Sequence, residues 1–339
     1  MGEKAEGGKP SVDDLQTLGI TNVTADNIAA IRVAFFPLSS NGQDYEALAD
    51  LQNTVDLGIK AYSSALKDIT TVASNKDFYN LTQNGTLPPL YKEILINNIT
   101  AHIRNLGVTN LDGESDAFVF SLLMEKNIST EQVNTYVEVQ SLVDGVNAIR
   151  ATFNSSTSIL PVPVPLQEHY EAIGLRGVDT QAEVNLMGDV IANLTDADAY
   201  GQTELQALAD AVQHVTATAA GDMTALTVDD LKLLGVTDAS DDNIGVIRSA
   251  IEKTDENGTQ VDTLDELREL VSNATESTSA ASRLKMADLL ANSDDDLFAD
   301  LSDFVTSANV SDSNPEVYTS DNANATLWLT LEELPTSVI

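Results

Sequence analysis

The chain reads as an all-α protein of tandem three-helix modules arranged in two halves, and three observations lead there. One phrase occurs twice: VDDLQTLGITNVTADNIAAIRVAF from Val12 returns without a gap as VDDLKLLGVTDASDDNIGVIRSAI from Val228, at an offset of 216. A short marker, Leu-Gly-(Ile/Val)-Thr, stands at Leu18, Leu106 and Leu234, with a degenerate form at Ile173-Gly174-Leu175-Arg176. Around the markers, apolar residues recur at three- and four-residue intervals, the spacing of a single helix face.

The elements follow in order from local signals. In each module the marker glycine ends a short apolar-periodic stretch, as expected of a helix closed by a left-handed residue. Thr24 to Asn27 and Asp238 to Asp241 offer N-cap oxygens, and Thr180 with Glu183 forms a capping box. The second helix then shows one face at Ile28, Ile31 and Phe35, repeated at Ile244, Ile247 and Ile251. After a polar loop at Asn41-Gly42 or Asn257-Gly258 the third helix begins, most clearly at Thr263 with Glu266. Its face is Leu264, Leu267 and Val271, preceded in the first copy by Leu48, Leu51 and Val55. The matching faces are read as Val139, Leu142 and Val146 in the second module and Leu205, Leu208 and Val212 in the third.

These signals divide the chain into a tail (1–10), module 1 (11–75), module 2 with an aromatic insertion (76–157), a Pro-rich linker (158–165), a degenerate module 3 (166–222), module 4 (223–280) and a C-terminal helix with an irregular, strand-like tail (281–339). Marker spacings of 88, 67 and 61 are uneven, so no single solenoid period applies. Pro161, Pro163 and Pro165 alternate with valine, which ends a helix and favours extended geometry, so the segment reads as a semi-rigid spacer between two halves. Thr326 to Leu331 alternates in the manner of a strand. Such a strand would pair within the fold or add to a neighbouring subunit; a frayed tail is the preferred reading.

Composition limits the function. The chain has 339 residues, 42% of them apolar and 5% aromatic, enough for real but small helical cores. Seventeen basic residues stand against 53 acidic ones, for a formal charge of −36. Such a chain repels phosphate backbones and anionic lipid, so neither nucleic acid nor a membrane surface is an expected partner. The acidity reads as solubility, as adaptation to salt water, or as a carboxylate surface for divalent cations. There is no cysteine, which removes disulfides and thiolate chemistry. No segment has the apolar length of a membrane span, and MGEKAEGGKP lacks the core of a signal peptide.

Chemical motifs are sparse. His102, His169 and His214 lie far apart without metal-ligand spacing and read as surface or half-buried helix residues. No GxSxG elbow, P-loop or GxGxxG occurs, and no enzymatic activity is expected. Calcium is the best chemical candidate, through Asp196 and Asp198 or through Asp255, Asn257 and Asp262, because hard cations take oxygen ligands. The first loop carries Ala207 where an EF-hand needs its bidentate Glu, and the second has its glycine misplaced. Asn80, Asn84, Asn154, Asn309 and Asn324 lie in Asn-x-Ser/Thr sequons and are the glycosylation candidates. Arg32 and Arg248 recur at one module position and are expected to pair with carboxylates such as Asp14 and Asp230. Phe78, Tyr79, Tyr91 and Trp328 are the aromatic residues placed where an interface could use them.

The string VDDLKLLGVTDASDDNIGVIRSAIEKTDENGTQVDTLDELRELV, Val228 to Val271, resembles the small helical repeats of giant surface adhesins of Gram-negative, often marine, bacteria. More distantly it is similar to the three-helix GA-type modules of Gram-positive surface proteins, with their Gly-Ile/Val turn. The resemblance covers roughly 45 residues in each of modules 1 and 4, weakens in modules 2 and 3, and is absent from the linker and C-terminus. It implies extension from the cell, adhesion, or binding of a host or matrix protein; it places no binding residue on this chain. The leading expectation is therefore a non-enzymatic structural or adhesive protein, extracellular or at a bacterial cell surface or biofilm, that associates with itself or with an extracellular protein or glycan. A self-assembling filament subunit is the second reading. An acidic calcium- or ligand-binding helical protein is the third.

Overall fold

The computed structural model describes residues 9–35, 47–75, 89–111, 113–124, 128–153, 155, 164–197 and 200–276. All of them belong to one compact unit, 1–279; a second unit, 280–339, lies outside the described residues and with it the expected terminal strand and Trp328.

Among the described residues the fold is all-α, as predicted, with no strand. Module 1 contains α1 (Val12–Thr17), α2 (Ile28–Phe35) and α3 (Leu48–Ser74). Module 2 contains α4 (Pro89–Asn105), α5 (Gly113–Met124), a 3-10 turn (Thr130–Gln132) and α6 (Tyr136–Thr152). Module 3 contains α7 (Gln167–Ala172), α8 (Gln181–Asn193) and α9 (Gln202–Ala219). Module 4 contains α10 (Val228–Leu233), α11 (Ile244–Ile251) and α12 over 264–276.

All four markers close a helix in the same way. Gly19, Gly107, Gly174 and Gly235 have φ of +86°, +85°, +78° and +80°, a conformation that costs a Cβ-bearing residue free energy. At Gly19 the N–H donates to the Gln16 carbonyl (2.9 Å) and that of Ile20 to Leu15 (3.0 Å), satisfying carbonyls the helix end would orphan. Gly235 and Val236 repeat the pair at Lys232 (3.0 Å) and Leu231 (2.8 Å). Capping boxes start the helices at Ser11/Asp14, Thr135/Glu138, Thr180/Glu183 and Thr227/Asp230.

The modules meet through a repeated junction. The third helix of each module packs on the first and second helices of the next: α3 on α4 and α5, α6 on α7 and α8, α9 on α10 and α11. One apolar cluster therefore runs from Ala65 to Val271, and only the first turns of module 1 keep a separate small core of Leu15, Ile20, Val23, Ile28, Ile31 and Val55.

That continuity changes the role expected for the Pro-rich segment. The residues flanking it share a core instead of being held apart. The local cause is Gly145 in α6, where an added Cβ would sit 2.7 Å from the His169 carbonyl oxygen, so the bare backbone lets α7 approach. Val164 and Pro165 pack beside Gly188 of α8 in turn.

Candidate functional site at the module junctions

Each module ties its marker turn to its third helix through one side chain. In module 1 the Gln52 Oε1 accepts from the Thr21 N–H (3.0 Å), while its Nε2 donates to the Thr21 carbonyl (3.4 Å) and to Asp56 Oδ1 (2.9 Å). Gln140 does the same with Thr109 (3.0 and 3.3 Å) and Asp144 (2.9 Å). Gln206 does so with Arg176 (3.1 and 2.9 Å) and Asp210 (2.7 Å). A primary amide suits the task because it both accepts and donates. In module 4 Arg268 takes the position; lacking an acceptor, it only donates, to the Gly235 carbonyl (3.4 and 3.3 Å).

The clamp sets the register of the third helices. Gln52, Gln140, Gln206 and Arg268 are equivalent, so Leu51 matches Val139, Leu205 and Leu267. The faces read from sequence for modules 2 and 3 are thus slipped by three residues. Such a slip leaves the apolar stripe on the same side of a helix, so periodicity alone is blind to it. The signal available in the sequence was the recurrent Gln-x-x-x-Asp at Gln52, Gln140 and Gln206.

Among the described residues the repeated arginines bond backbone carbonyls and not the carboxylates expected. Arg32 Nε donates to the Pro10 carbonyl (3.0 Å) and Arg248 Nε to that of Leu226 (2.7 Å), each 22 residues back. The carboxylates proposed for them are engaged elsewhere. Asp14 accepts from the Ser11 N–H (2.9 Å), and the Ser11 backbone and hydroxyl bonds hold its pKa below the usual value. Asp230 accepts from the Thr227 N–H (2.8 Å) and lies 3.0 Å from His214 Nδ1.

Two junctions carry a histidine–carboxylate contact: His102 with Asp68 across modules 1 and 2 (3.4 Å), and His214 with Asp230 across modules 3 and 4. His169 instead takes the Leu166 N–H on its Nδ1 (3.0 Å), capping α7.

Of the calcium candidates, Asp255, Asn257 and Asp262 take part in turn and junction bonding. Asn257 Oδ1 accepts from the Thr259 hydroxyl (3.0 Å) and Asp255 from the Gln260 amide (3.1 Å), which closes the loop around Gly258. Asp262 accepts from Asn185 of α8 (2.8 Å), reaching into module 3. Asp196 lies within the described residues and Asp198 outside them. Among the described residues no three His, Asp or Glu side chains gather where one metal ion could be held.

Of the aromatic candidates, Tyr91 is exposed on α4, while Phe78, Tyr79 and Trp328 lie outside the described residues. The glycosylation candidates Asn80, Asn84, Asn154, Asn309 and Asn324 also lie outside them. A cavity of about 420 Å³ is lined by Ala250, Gln260, Glu266, Leu270, Asn273 and Ala274 in module 4. Among the described residues no helix is long and apolar enough to cross a membrane.

One buried group was not visible in sequence. Tyr170 of α7 is fully buried, its hydroxyl has no hydrogen-bond partner among the described residues, and burial pushes its pKa up. Compared with protein families, curated proteins and solved structures, the chain matches no family model, no curated protein and no solved structure.

Proposed function

We propose that this chain is a non-enzymatic structural or adhesive segment of a cell-surface or extracellular protein, in which helical modules hold a partner-binding or anchoring part in place. The observation that carries this reading is the junction used three times, third helix onto the next module's first two, with one apolar cluster continuing through it. Modules that share a core transmit load and orientation to one another, which independent beads on a linker do not. The polar side chains that recur from module to module support the same reading. The clamping glutamines and Arg248 bond backbone groups of their own module, and Arg32 that of Pro10 just ahead of its module, so their repeated chemistry serves the scaffold.

The fitting partners are another extracellular protein, a glycan or the chain itself, since a charge of −36 disfavours polyanions. Antibody raised against the chain should stain intact source cells, and cells lacking the protein should attach less well to surfaces or to each other. Staining that appears only after lysis would overturn the assignment.

A further inference from the structure

Modules 1 and 4 repeat the same bonds on nearly the same sequence, and yet one face differs between them. Arg32 and Arg248 donate to the carbonyls of Pro10 and Leu226 (3.0 and 2.7 Å), and Asn27 and Asn243 to those of Asn22 and Asp238 (both 2.8 Å). At the offset of 216, Leu18 and Leu48 of module 1 correspond to Leu234 and Leu264 of module 4. The first pair is 56% and 53% exposed, the second 2% and 1%. The two exposed leucines meet at one turn, since a Cβ on Gly19, next to Leu18, would lie 4.0 Å from Leu48 Cδ2.

The neighbour makes the difference. In module 4, α9 of module 3 packs on α10 and α11, and Asp189 of α8 accepts from the Leu264 N–H (2.8 Å). At the Leu18 position Leu106 and Ile173, each with a module ahead of it, are fully buried as well. One turn earlier on the first helix, unlike groups meet across two of these junctions: Asp230 lies 3.0 Å from His214 of α9, and His102 lies 3.4 Å from Asp68 of α3. Module 1 holds Asp14 there, exposed and beside an exposed Asp13, and α1 contains no basic residue.

We propose that this face of module 1 docks an amphipathic helix of another protein, apolar towards Leu18 and Leu48 and basic opposite Asp14. The matching face of module 4 already receives such a helix. There α9 sets Leu205, Leu208, Val212 and Val215 in the shared core and brings His214 to the carboxylate of Asp230. An apolar helix stripe laid against an apolar surface is a recurrent mode of recognition between proteins. Charge selects the source of the helix. A second copy of this chain would bring a further −36 towards two exposed carboxylates, whereas a basic partner is drawn to them. The inference goes beyond the cell-surface assignment, because it names what the face binds and not where the chain resides.

The test uses the full chain and, as probe, a labelled peptide of the α9 sequence, Gln202–Ala219, carrying His214→Lys. A hydrocarbon staple joins positions 203 and 207, both exposed on α9, because an isolated helix of this length is marginal in water. Fluorescence anisotropy should show saturable binding of one peptide per chain, weakening as salt rises because the attraction is screened. Leu18→Glu with Leu48→Glu should leave the circular dichroism spectrum unchanged and lower the affinity at least about tenfold; Leu18→Gln with Leu48→Gln should do so without adding charge. A peptide with His214→Glu instead should bind at least about threefold more weakly, the scale of one exposed ion pair. Asp14→Asn keeps an acceptor for the Ser11 N–H and should shrink that preference. No saturable binding, binding indifferent to the leucine variants, or binding that strengthens with salt would each overturn the proposal. So would a light-scattering mass that rises with concentration in the parent and not in the Leu18→Gln, Leu48→Gln chain, which would give the face to a second copy. Surface staining without peptide binding would sink this inference alone, while peptide binding with lysis-only staining would sink only the functional assignment.

Discussion

At the scale of single residues, the molecule is organised by side chains that satisfy backbone groups. Gln140 meets both the N–H and the carbonyl of Thr109, so Gln140→Ala should cost about 1–2 kcal/mol in urea unfolding, the net worth of two partly exposed hydrogen bonds. Gln140→Arg should cost about half as much, because arginine can still donate to a carbonyl of the marker turn, as Arg268 does to that of Gly235 in module 4, but cannot accept from the Thr109 N–H. Tyr170 is the opposite case, a buried hydroxyl without a partner among the described residues. Tyr170→Phe removes only that hydroxyl and should raise stability by about 1 kcal/mol at neutral pH. The pH dependence has a definite sign. Burial holds the folded phenol protonated above its ordinary pKa of 10.0, so above pH 10 the unfolded chain ionises first. Stability is fully present below that pH and is lost as pH rises, and a melting series across it should show a smaller fall in the Phe variant.

At the scale of elements, most of what builds the helices is local. Marker glycines, capping boxes and apolar stripes all depend on neighbours within a few residues, which is why the order of helices was readable from the chain. The packing consequences of those signals were not. Gly107 and Gly235 look alike in sequence and share a left-handed φ, but a Cβ on Gly107 would lie 2.6 Å from the Ala29 backbone carbon, while one on Gly235 meets only the flexible Arg268 Nη2 at 3.2 Å. Gly235→Ala should therefore cost about 1 kcal/mol, the conformational penalty alone. Gly107→Ala should cost at least about 2 kcal/mol more in the same measurement, because module 2 must draw back from α2. Similar losses at both positions would contradict this account of the first junction. The three-residue slip in the third-helix faces has the same origin: an apolar stripe reports which side of a helix is buried and not how far along it the next module sits.

At the scale of the whole molecule, the described modules belong to one compact unit of a chain that carries a large like-charge load. Seventeen basic residues cannot offset 53 acidic ones, so self-repulsion opposes the compact state and salt should relieve it. The melting temperature should rise by several degrees between low and high salt, a direction opposite to that of a fold held by surface ion pairs. By itself the sequence determined the helical class, the four marker turns, the caps and the excess of acid, since each follows from covalent preference or from contacts within a few residues. Only the tertiary structure decided that the halves flanking the Pro-rich segment share a core, that the recurrent arginines and glutamines bind backbone, and that Leu18 and Leu48 face outward while their counterparts are covered. Those outcomes depend on which surfaces meet across long separations, and a bare Gly145 or a buried Leu234 acquires its meaning only from the module packed against it.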